Sequence, residues 1–426
     1  MSVGIQRLRD DAETIRRGAR DKGEDHSLVE AALTHDAQRR SLLGEVDGLR
    51  AERKQVSAQV GAAMKSGSAD AKRLRARSVE LGDRIDAGEE KLRVIEAELE
   101  DLLLRIPNPA DPGVPVGPPE ATTTIRTWGE PIAHDADGWE RKPHWEIGER
   151  LGILDLPAGA KVTGSGFPVY RGAGARLQRT LINLFMDIHS TEHGMIEIWP
   201  PAVVNADSAR GTGQLPDKED QMYVVTRDDL YLNPTAEVAV TNLHRDEIIE
   251  ADRLPIHYVA YSPSFRREAG AAGRATRGIL RVHQFDKVEM VAFTKPEDSP
   301  QALEWLTERA EVVLQRLGLP YRVRLLSTGD MGFTQAKTYD IEVWAPGIGE
   351  WLEVSSISNF RDFQARRMSI RYRPETSAKP EILHTLNGSG LALPRTVAAV
   401  LEVYQQQDGS VGLPEVLAEK VGRPGG

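Results

Sequence analysis

The sequence predicts an α+β protein, an antiparallel β-sheet core with flanking helices preceded by an N-terminal antiparallel coiled-coil arm. Three observations carry that prediction. Residues 27–106 contain no proline and hold a heptad-spaced apolar seam. Pro107, Pro109, Pro112, Pro115, Pro118 and Pro119 then follow in quick succession. Beyond them, helical patterns and alternating strand-like runs recur out of phase between glycine and proline breaks, which favours segregated helices and antiparallel strands over a doubly wound sheet. The proline cluster marks an extended linker. The chain is therefore expected to divide into an arm, residues 1–110, and a second domain, residues 111–426.

Within the arm, one seam runs through Leu42, Val46, Leu49, Arg53, Val56, Val60 and Ala63. The other runs through Leu74, Ser78, Leu81, Ile85, Gly88, Leu92, Ile95, Leu99, Leu102 and Ile106. Spacings of four and three mark a left-handed coiled coil. Ser66-Gly67-Ser68 reads as the turn between two helices folded back on each other, projecting about 30 to 45 Å at 1.5 Å per residue. Between positions 50 and 77 stand Arg50, Arg53, Lys54, Lys65, Lys72, Arg73, Arg75 and Arg77, against only Glu52 and Asp70. A basic tip on a rigid arm suits a phosphate backbone. A solvated helix face, or a coiled coil used for dimerisation, is the structural alternative.

In the second domain, residues 176–193 have helical periodicity through Leu177, Leu181, Leu184, Phe185 and Ile188, and residues 195–201 alternate like a strand. Ile279, Arg281 and His283 alternate with Leu280 and Val282 and also read as strand. The net charge of −10 argues against wholesale nucleic-acid coating and leaves room for a local basic patch. The chain has no cysteine, which excludes disulfides and thiolate metal sites and fits a reducing, cytoplasmic setting. Residues 1–22 are charged, so no signal peptide is expected, and no apolar run approaches the roughly 20 residues of a membrane helix.

Nucleotide chemistry has to come from side chains, because no Gly-x-x-x-x-Gly-Lys-Ser/Thr loop exists. Gly388-Ser389-Gly390 lacks the third glycine and the βαβ context of a dinucleotide site. Arg266, Arg267, Arg274, Arg277 and Arg281 instead stand in a Gly/Ala-rich frame, and guanidinium forks grip phosphate at two points. On a strand, Arg266 and Glu268 share a face: Arg266 suits the α-phosphate and Glu268 an adenine amine. Phe285 offers a flat face to the base, with Arg281 as a planar cap. Arg395, ahead of a helical pattern, suits a second phosphate contact. Glu353, Ser355 and Ser356 supply close-set oxygens for Mg²⁺. Thr235 and Glu237, read as one side of a strand, suit a small amino acid, with Glu237 and Glu289 facing its ammonium and Ser389 or Thr235 its hydroxyl. Singly, each has an ordinary alternative: a salt bridge, a core aromatic, an edge acid.

Together these segments resemble the bacterial-type seryl-tRNA synthetases of class II across nearly the whole chain. The resemblance rests on Gly211-Thr212-Gly213-Gln214-Leu215-Pro216, Pro234-Thr235-Ala236-Glu237, the arginine-rich hairpin, Thr328-Gly329-Asp330, Glu353-Val354-Ser355-Ser356, Asp362-Phe363-Gln364-Ala365-Arg366-Arg367 and Thr385-Leu386-Asn387-Gly388-Ser389. It implies a class II antiparallel sheet and a homodimer joined through the helix and strand of residues 176–201. It implies serine binding by Thr235, Ala236, Glu237, Glu289 and Ser389. It implies binding of ATP and magnesium by Arg266, Arg267, Glu268, Arg281, Val282, Phe285, Glu353, Val354, Ser355, Ser356 and Arg395, with Glu353 and Ser356 on the metal. It also implies that the arm grips the variable arm of serine tRNA while the acceptor end enters the site, where the loop containing Ala275 orders around it. Charging of selenocysteine tRNA would follow.

Two rivals are distinguishable. An amino-acid:carrier-protein ligase on the same core would lack the long arm. A non-catalytic tRNA-binding scaffold would not need Arg266, Glu268, Glu353 and Arg395. A specialised, inhibitor-resistant duplicate would keep every feature. Deleting residues 46–99 separates the cases, since a synthetase then loses charging and keeps adenylate formation.

Overall fold

The computed structural model describes residues 4–270 and 277–422; Ala275 lies outside them. The chain divides into two compact units, Met1–Pro107 and Asn108–Gly426.

The first unit is all helical. Helices α1 (Ile5–Asp10) and α2 (Ala12–Asp21) precede α3 (Ser27–Lys65) and α4 (Ala71–Arg105). The long pair is antiparallel, with the chain reversing between Lys65 and Ala71. Val46, Val56, Ala63, Leu81, Ile85, Gly88 and Leu99 of the expected seam are buried, while Arg53 is exposed. At 1.5 Å per residue α3 alone is about 58 Å long, longer than expected, because it begins at Ser27 and not at the first residue of the seam. The short helices were not foreseen. Their Leu8 and Ile15 join Val29, Ala32, Leu99, Leu103 and Ile106 in a small core at the base. Buried Asp36 is held there by Arg9 at 2.6 Å, whose hydrogen bond lowers the pKa of the acid. Val46 packs where a Cβ on residue 88 would lie only 2.7 Å away, so Gly88 is required for the helices to close.

The basic tip is less free than its composition implies. Arg50 pairs with Asp47 and Glu89, each at 2.9 Å; Arg77 pairs with Glu52 at 2.7 Å and Glu80 at 2.9 Å; Arg73 pairs with Asp70 at 3.3 Å. Arg53, Lys54, Lys65, Lys72 and Arg75 make no ion pair among the described residues. Asp47, Glu80 and Glu89 lie outside the window counted in sequence; Asp47 and Glu80 reach their arginines one turn away on the same helix, and helix pairing brings in Glu89.

The second unit is built on an eight-stranded sheet. Its strands are β1 (Thr123–Trp128), β2 (Ile196–Ile198), β3 (Ile256–Phe265), β4 (Gln284–Thr294), β5 (Tyr321–Leu325), β6 (Lys337–Ala345), β7 (Glu350–Arg361) and β8 (His384–Ala392). The order is β1-β5-β6-β7-β8-β4-β3-β2. Every pairing is antiparallel except β2 with β3. Alternation along β4 explains the layering. Val288, Met290 and Ala292 enter the main core, which also takes α5 (Ala173–Asp187), α8 (Ser299–Arg316) and α10 (Leu393–Val403). Val291 and Phe293 point the other way, into a second core with α7 (Ala236–Thr241) and α9 (Phe363–Arg367). Glu289 shares that second face, beside the cavity described below. Helix α6 (Ala206–Thr212) packs beside α7 and α9.

Three local expectations need correction. Strand β3 ends at Phe265, so Arg266 and Glu268 do not share a strand face; Glu268 takes a left-handed turn with φ +50°. Residues 279–283 are not strand: Ile279, Leu280 and Val282 are buried, but ladder pairing with β3 starts only at Gln284 opposite Phe265. Apolar alternation placed them inside without giving them a partner strand. Thr235-Ala236-Glu237 is the start of a helix, with Thr235 at its N-cap and Glu237 in the first turn.

Candidate active site

The exposed face of the sheet holds a cavity of about 800 Å³. Of the residues singled out in sequence, Thr235, Glu237, Arg266, Glu268, Arg281, Val282, Phe285, Glu353, Val354, Ser356, Ser389 and Arg395 line it. Segments separated by up to 160 positions therefore meet at one place. Four others do not reach the wall. Glu289 is wholly buried just beneath it, and Ala236 is buried behind Thr235. Arg267 turns outward and donates to the Asp220 carbonyl at 3.2 Å. Ser355 points to the opposite side of β7 from Ser356 and donates to the Ser389 carbonyl at 2.6 Å.

One end of the cavity is acidic. Glu289 on β4 faces Ser389 on β8, and the Ser389 hydroxyl donates to Glu289 Oε2 at 3.4 Å. The Asn387 amide bridges both acids, donating to Glu237 Oε2 at 3.0 Å and Glu289 Oε1 at 2.8 Å. Lys287, two residues before Glu289 on the same face, forms an ion pair with it. Burial, and then the Glu289 carboxylate, push Glu237 up to about 7. Sequence reasoning missed Lys287 and Asn387. Both stand on strands, and their partners across the sheet are not visible in sequence.

The opposite side is basic and aromatic. Arg266 lies over the Phe285 ring at 5.2 Å, and its Nε donates to the Pro234 carbonyl at 3.3 Å. The cation expected over Phe285 was Arg281; here Arg281 pairs with Glu268 at 3.0 Å, because the left-handed turn at Glu268 brings the acid back toward it. Arg395, in the first turn of α10, donates to the Glu353 carbonyl at 2.9 Å and its carboxylate at 3.3 Å. Lys218 and Gln214 also line the cavity; Gln214 stands in a motif of the resemblance, and neither was given a role in sequence. Lys218 keeps solvent contact through the opening, yet protein packed around it desolvates the ammonium and, with Arg266 nearby, lowers its pKa.

Gly388-Ser389-Gly390 lies within β8. The His189 ring would be 2.4 Å from a Cβ on residue 390, so glycine there serves close packing and not a phosphate.

Glu353 and Ser356 put a carboxylate and a hydroxyl on one wall. Asp340 stands opposite Ser356 in the sheet, and burial followed by the Glu353 charge pushes its carboxyl well above the ordinary range. Among the described residues no cluster of three or more His, Asp or Glu forms a metal cage. A magnesium nucleotide needs only one or two carboxylates beside its own phosphate oxygens, so this donor set fits Mg²⁺.

An antiparallel sheet with this cavity, an arginine at the strand end and another in the first turn of α10 define a class II aminoacyl-tRNA synthetase. Residues 223–404 match the family model "tRNA synthetase class II core domain (G, H, P, S and T)", and residues 3–110 match "Seryl-tRNA synthetase N-terminal domain". The chain is 53% identical over 421 residues to the serine–tRNA ligase of Geobacillus kaustophilus, covering 99% of this chain and 98% of that one. It is 50% identical to that of Gemmatimonas aurantiaca, covering 98% of both. Among solved structures it resembles the seryl-tRNA synthetase of Pyrococcus horikoshii complexed with ATP, with a TM-score of 0.91, 37% identity and 98% of both chains covered. It also resembles the cytoplasmic serine–tRNA ligase of Naegleria fowleri in complex with AMP, with a TM-score of 0.84, 28% identity and 97% and 95% covered. The chain belongs to the seryl-tRNA synthetase family.

Proposed function

We propose that the protein joins L-serine to serine tRNA through a seryl-adenylate, consuming ATP with Mg²⁺. The observation that carries this reading is one cavity with a buried carboxylate pair, Glu237 and Glu289, at one end and Arg266 and Arg395 at the other. Thr235 and Glu237 receive the serine ammonium, while Glu289 and Ser389 read its hydroxyl. Ala236 contributes backbone only. Adenine takes the Phe285 face once Arg266 leaves it for the α-phosphate, with Glu268 on its amine, Arg281 released from Glu268 to lie above, and Val282 and Val354 alongside. Ser355 acts by holding the Ser389 carbonyl, and Arg267 by anchoring the turn.

In the first step a serine carboxylate oxygen attacks the α-phosphorus, the bond to the bridging oxygen breaks and pyrophosphate leaves. In the second, the terminal ribose hydroxyl of the tRNA attacks the acyl carbon, loses its proton, and AMP departs. No protein nucleophile is needed. Arg266 and Arg395 orient the phosphates and oppose the charge that develops on them. Glu353 and Ser356 would hold Mg²⁺, which supplies further neutralisation of phosphate oxygens.

The arm, residues 1–110, belongs to the tRNA, and residues 111–426 to the chemistry. Selenocysteine tRNA falls within the same reading. Strand β2 is a sheet edge, and Ile196 and Trp199 beside it are 57% and 78% exposed, which supports a homodimer through this edge. Among the described residues no helix is long and apolar enough to cross a membrane; cytoplasmic placement completes the proposal.

Pyrophosphate exchange against a panel of small amino acids, followed by charging of total tRNA, tests it. Serine alone should sustain exchange, and alanine should be rejected by up to about 10⁴ because the buried acids would lose their hydroxyl partner. Exchange driven equally well by alanine or glycine would refute the reading.

Serine affinity should also depend on pH. With Glu237 at about 7 in the ligand-free site, it holds a proton below that pH, and the incoming ammonium must displace it. The KM for serine should therefore be flat above about pH 7 and rise as pH falls, approaching tenfold per unit. The same raised acid lowers native stability as pH climbs from its ordinary range toward 7, since the unfolded chain sheds the proton first. A KM unchanged from neutral pH down to about pH 5.5 would remove Glu237 from ammonium recognition.

A further inference from the structure

Gln364 lies in α9, behind the cavity wall, and is 1% exposed. Its amide is fully engaged. Nε2 donates to Glu237 Oε1 at 2.6 Å and to the Thr212 carbonyl at 3.3 Å, while Oε1 accepts from the Thr385 hydroxyl at 2.7 Å. The Thr385 hydrogen bond orients the amide so that its NH₂ faces the acid. Thr212 ends α6, and the loop after it brings Gln214 and Lys218 to the cavity. Arg367, on the same short helix, clamps that loop by donating to the Arg210 carbonyl at 3.0 Å and the Leu215 carbonyl at 3.3 Å. An apolar side chain of similar volume would fill this space as well. A buried amide is costly unless its partners need it.

We propose that Gln364 is a positioning residue for serine recognition: it aims the Glu237 carboxylate into the cavity and ties it to the loop carrying Gln214 and Lys218. This rests on the reading of Glu237 as the partner of the serine ammonium. The groups facing Glu237 are Glu289 and Lys287 from β4, Asn387 from β8, Lys218 from the loop and Gln364 itself. Burial and Glu289 raise its pKa; the Gln364 hydrogen bond is the first of the influences that hold it down, followed by Lys287 and Lys218. Removing the amide therefore moves ionisation of Glu237 to higher pH.

The test is the KM for serine in pyrophosphate exchange from about pH 6 to about pH 9, in wild type, Gln364→Met, Gln364→Glu and Glu237→Gln. Gln364→Met should raise KM about tenfold at neutral pH and converge toward wild type as pH rises, with kcat changed less than about threefold. Gln364→Glu should move the limb further in the same direction, because a second carboxylate stands beside the first. It keeps the side-chain shape and carries the test if Gln364→Met does not fold. A KM raised equally at every pH would mean structural damage alone, and an unmoved limb would mean no influence on Glu237; either overturns the proposal. If Glu237→Gln kept the wild-type KM, the reading of Glu237 itself would fall. If Glu237→Gln lost serine while the Gln364 variants kept the wild-type limb, only the role of Gln364 would fall.

Discussion

Arg266→Ala is expected to lower kcat for serine-dependent ATP–pyrophosphate exchange about 10²–10³-fold, the usual cost of removing one preorganised donor from a developing charge. In the protein alone the guanidinium already stands at the cavity wall. Its Nε donates to the Pro234 carbonyl at 3.3 Å, its plane lies over Phe285, and its backbone N–H donates to the His283 carbonyl at 2.9 Å. Nucleotide binding has only to swing the guanidinium from the Phe285 ring onto the phosphate. The side chain lines the cavity and is not packed in either core, so thermal unfolding should hardly change. Arg266→Lys should recover little, since a point charge cannot grip a phosphate at two points. Exchange by Arg266→Ala within about tenfold of wild type would remove its role.

Shortening the arm should separate the two steps. An excision of residues 46–99 would join positions that do not face each other. Val46 packs on Gly88, so the register-matched cut removes residues 46–88 and closes with a short turn. That variant should retain serine-dependent exchange within about threefold and lose nearly all charging of serine tRNA, because exchange uses no tRNA whereas the transfer step draws on remote tRNA contacts. Equal loss of both activities would contradict the division of labour. Finer substitutions identify which side chains meet the tRNA. Replacing Arg53, Lys54, Lys65, Lys72 or Arg75 by alanine should lower the salt slope of tRNA binding by about 1 for each phosphate that is no longer neutralised. Arg77→Ala should change it less, as Arg77 is already engaged by Glu52 and Glu80.

Most of the site was legible because its residues are chemically distinctive and sit in long ordered motifs. Arg266, Glu268, Phe285, Glu353 and Arg395 are expected as nucleotide contacts from type and spacing, and they line one cavity. The local conformations were less legible. Thr235 to Glu237 reads equally well as strand or helix over so few residues, and packing of Ala236 and Val240 into the second core accompanies the helix. Gln364 stands in one of the motifs of the resemblance, but nothing local gives it a role: its meaning comes from Glu237, Thr212 and Thr385 on other elements.

The amino-acid sequence by itself determined the helical arm, the antiparallel domain behind it and the chemical kinds gathered for catalysis, because periodicity and side-chain chemistry are local properties. Only the tertiary structure decided which cation lies over Phe285, which tip arginines are already paired, and that two buried acids share one asparagine. Those outcomes depend on strand register and helix pairing, which bring together residues that no local pattern connects.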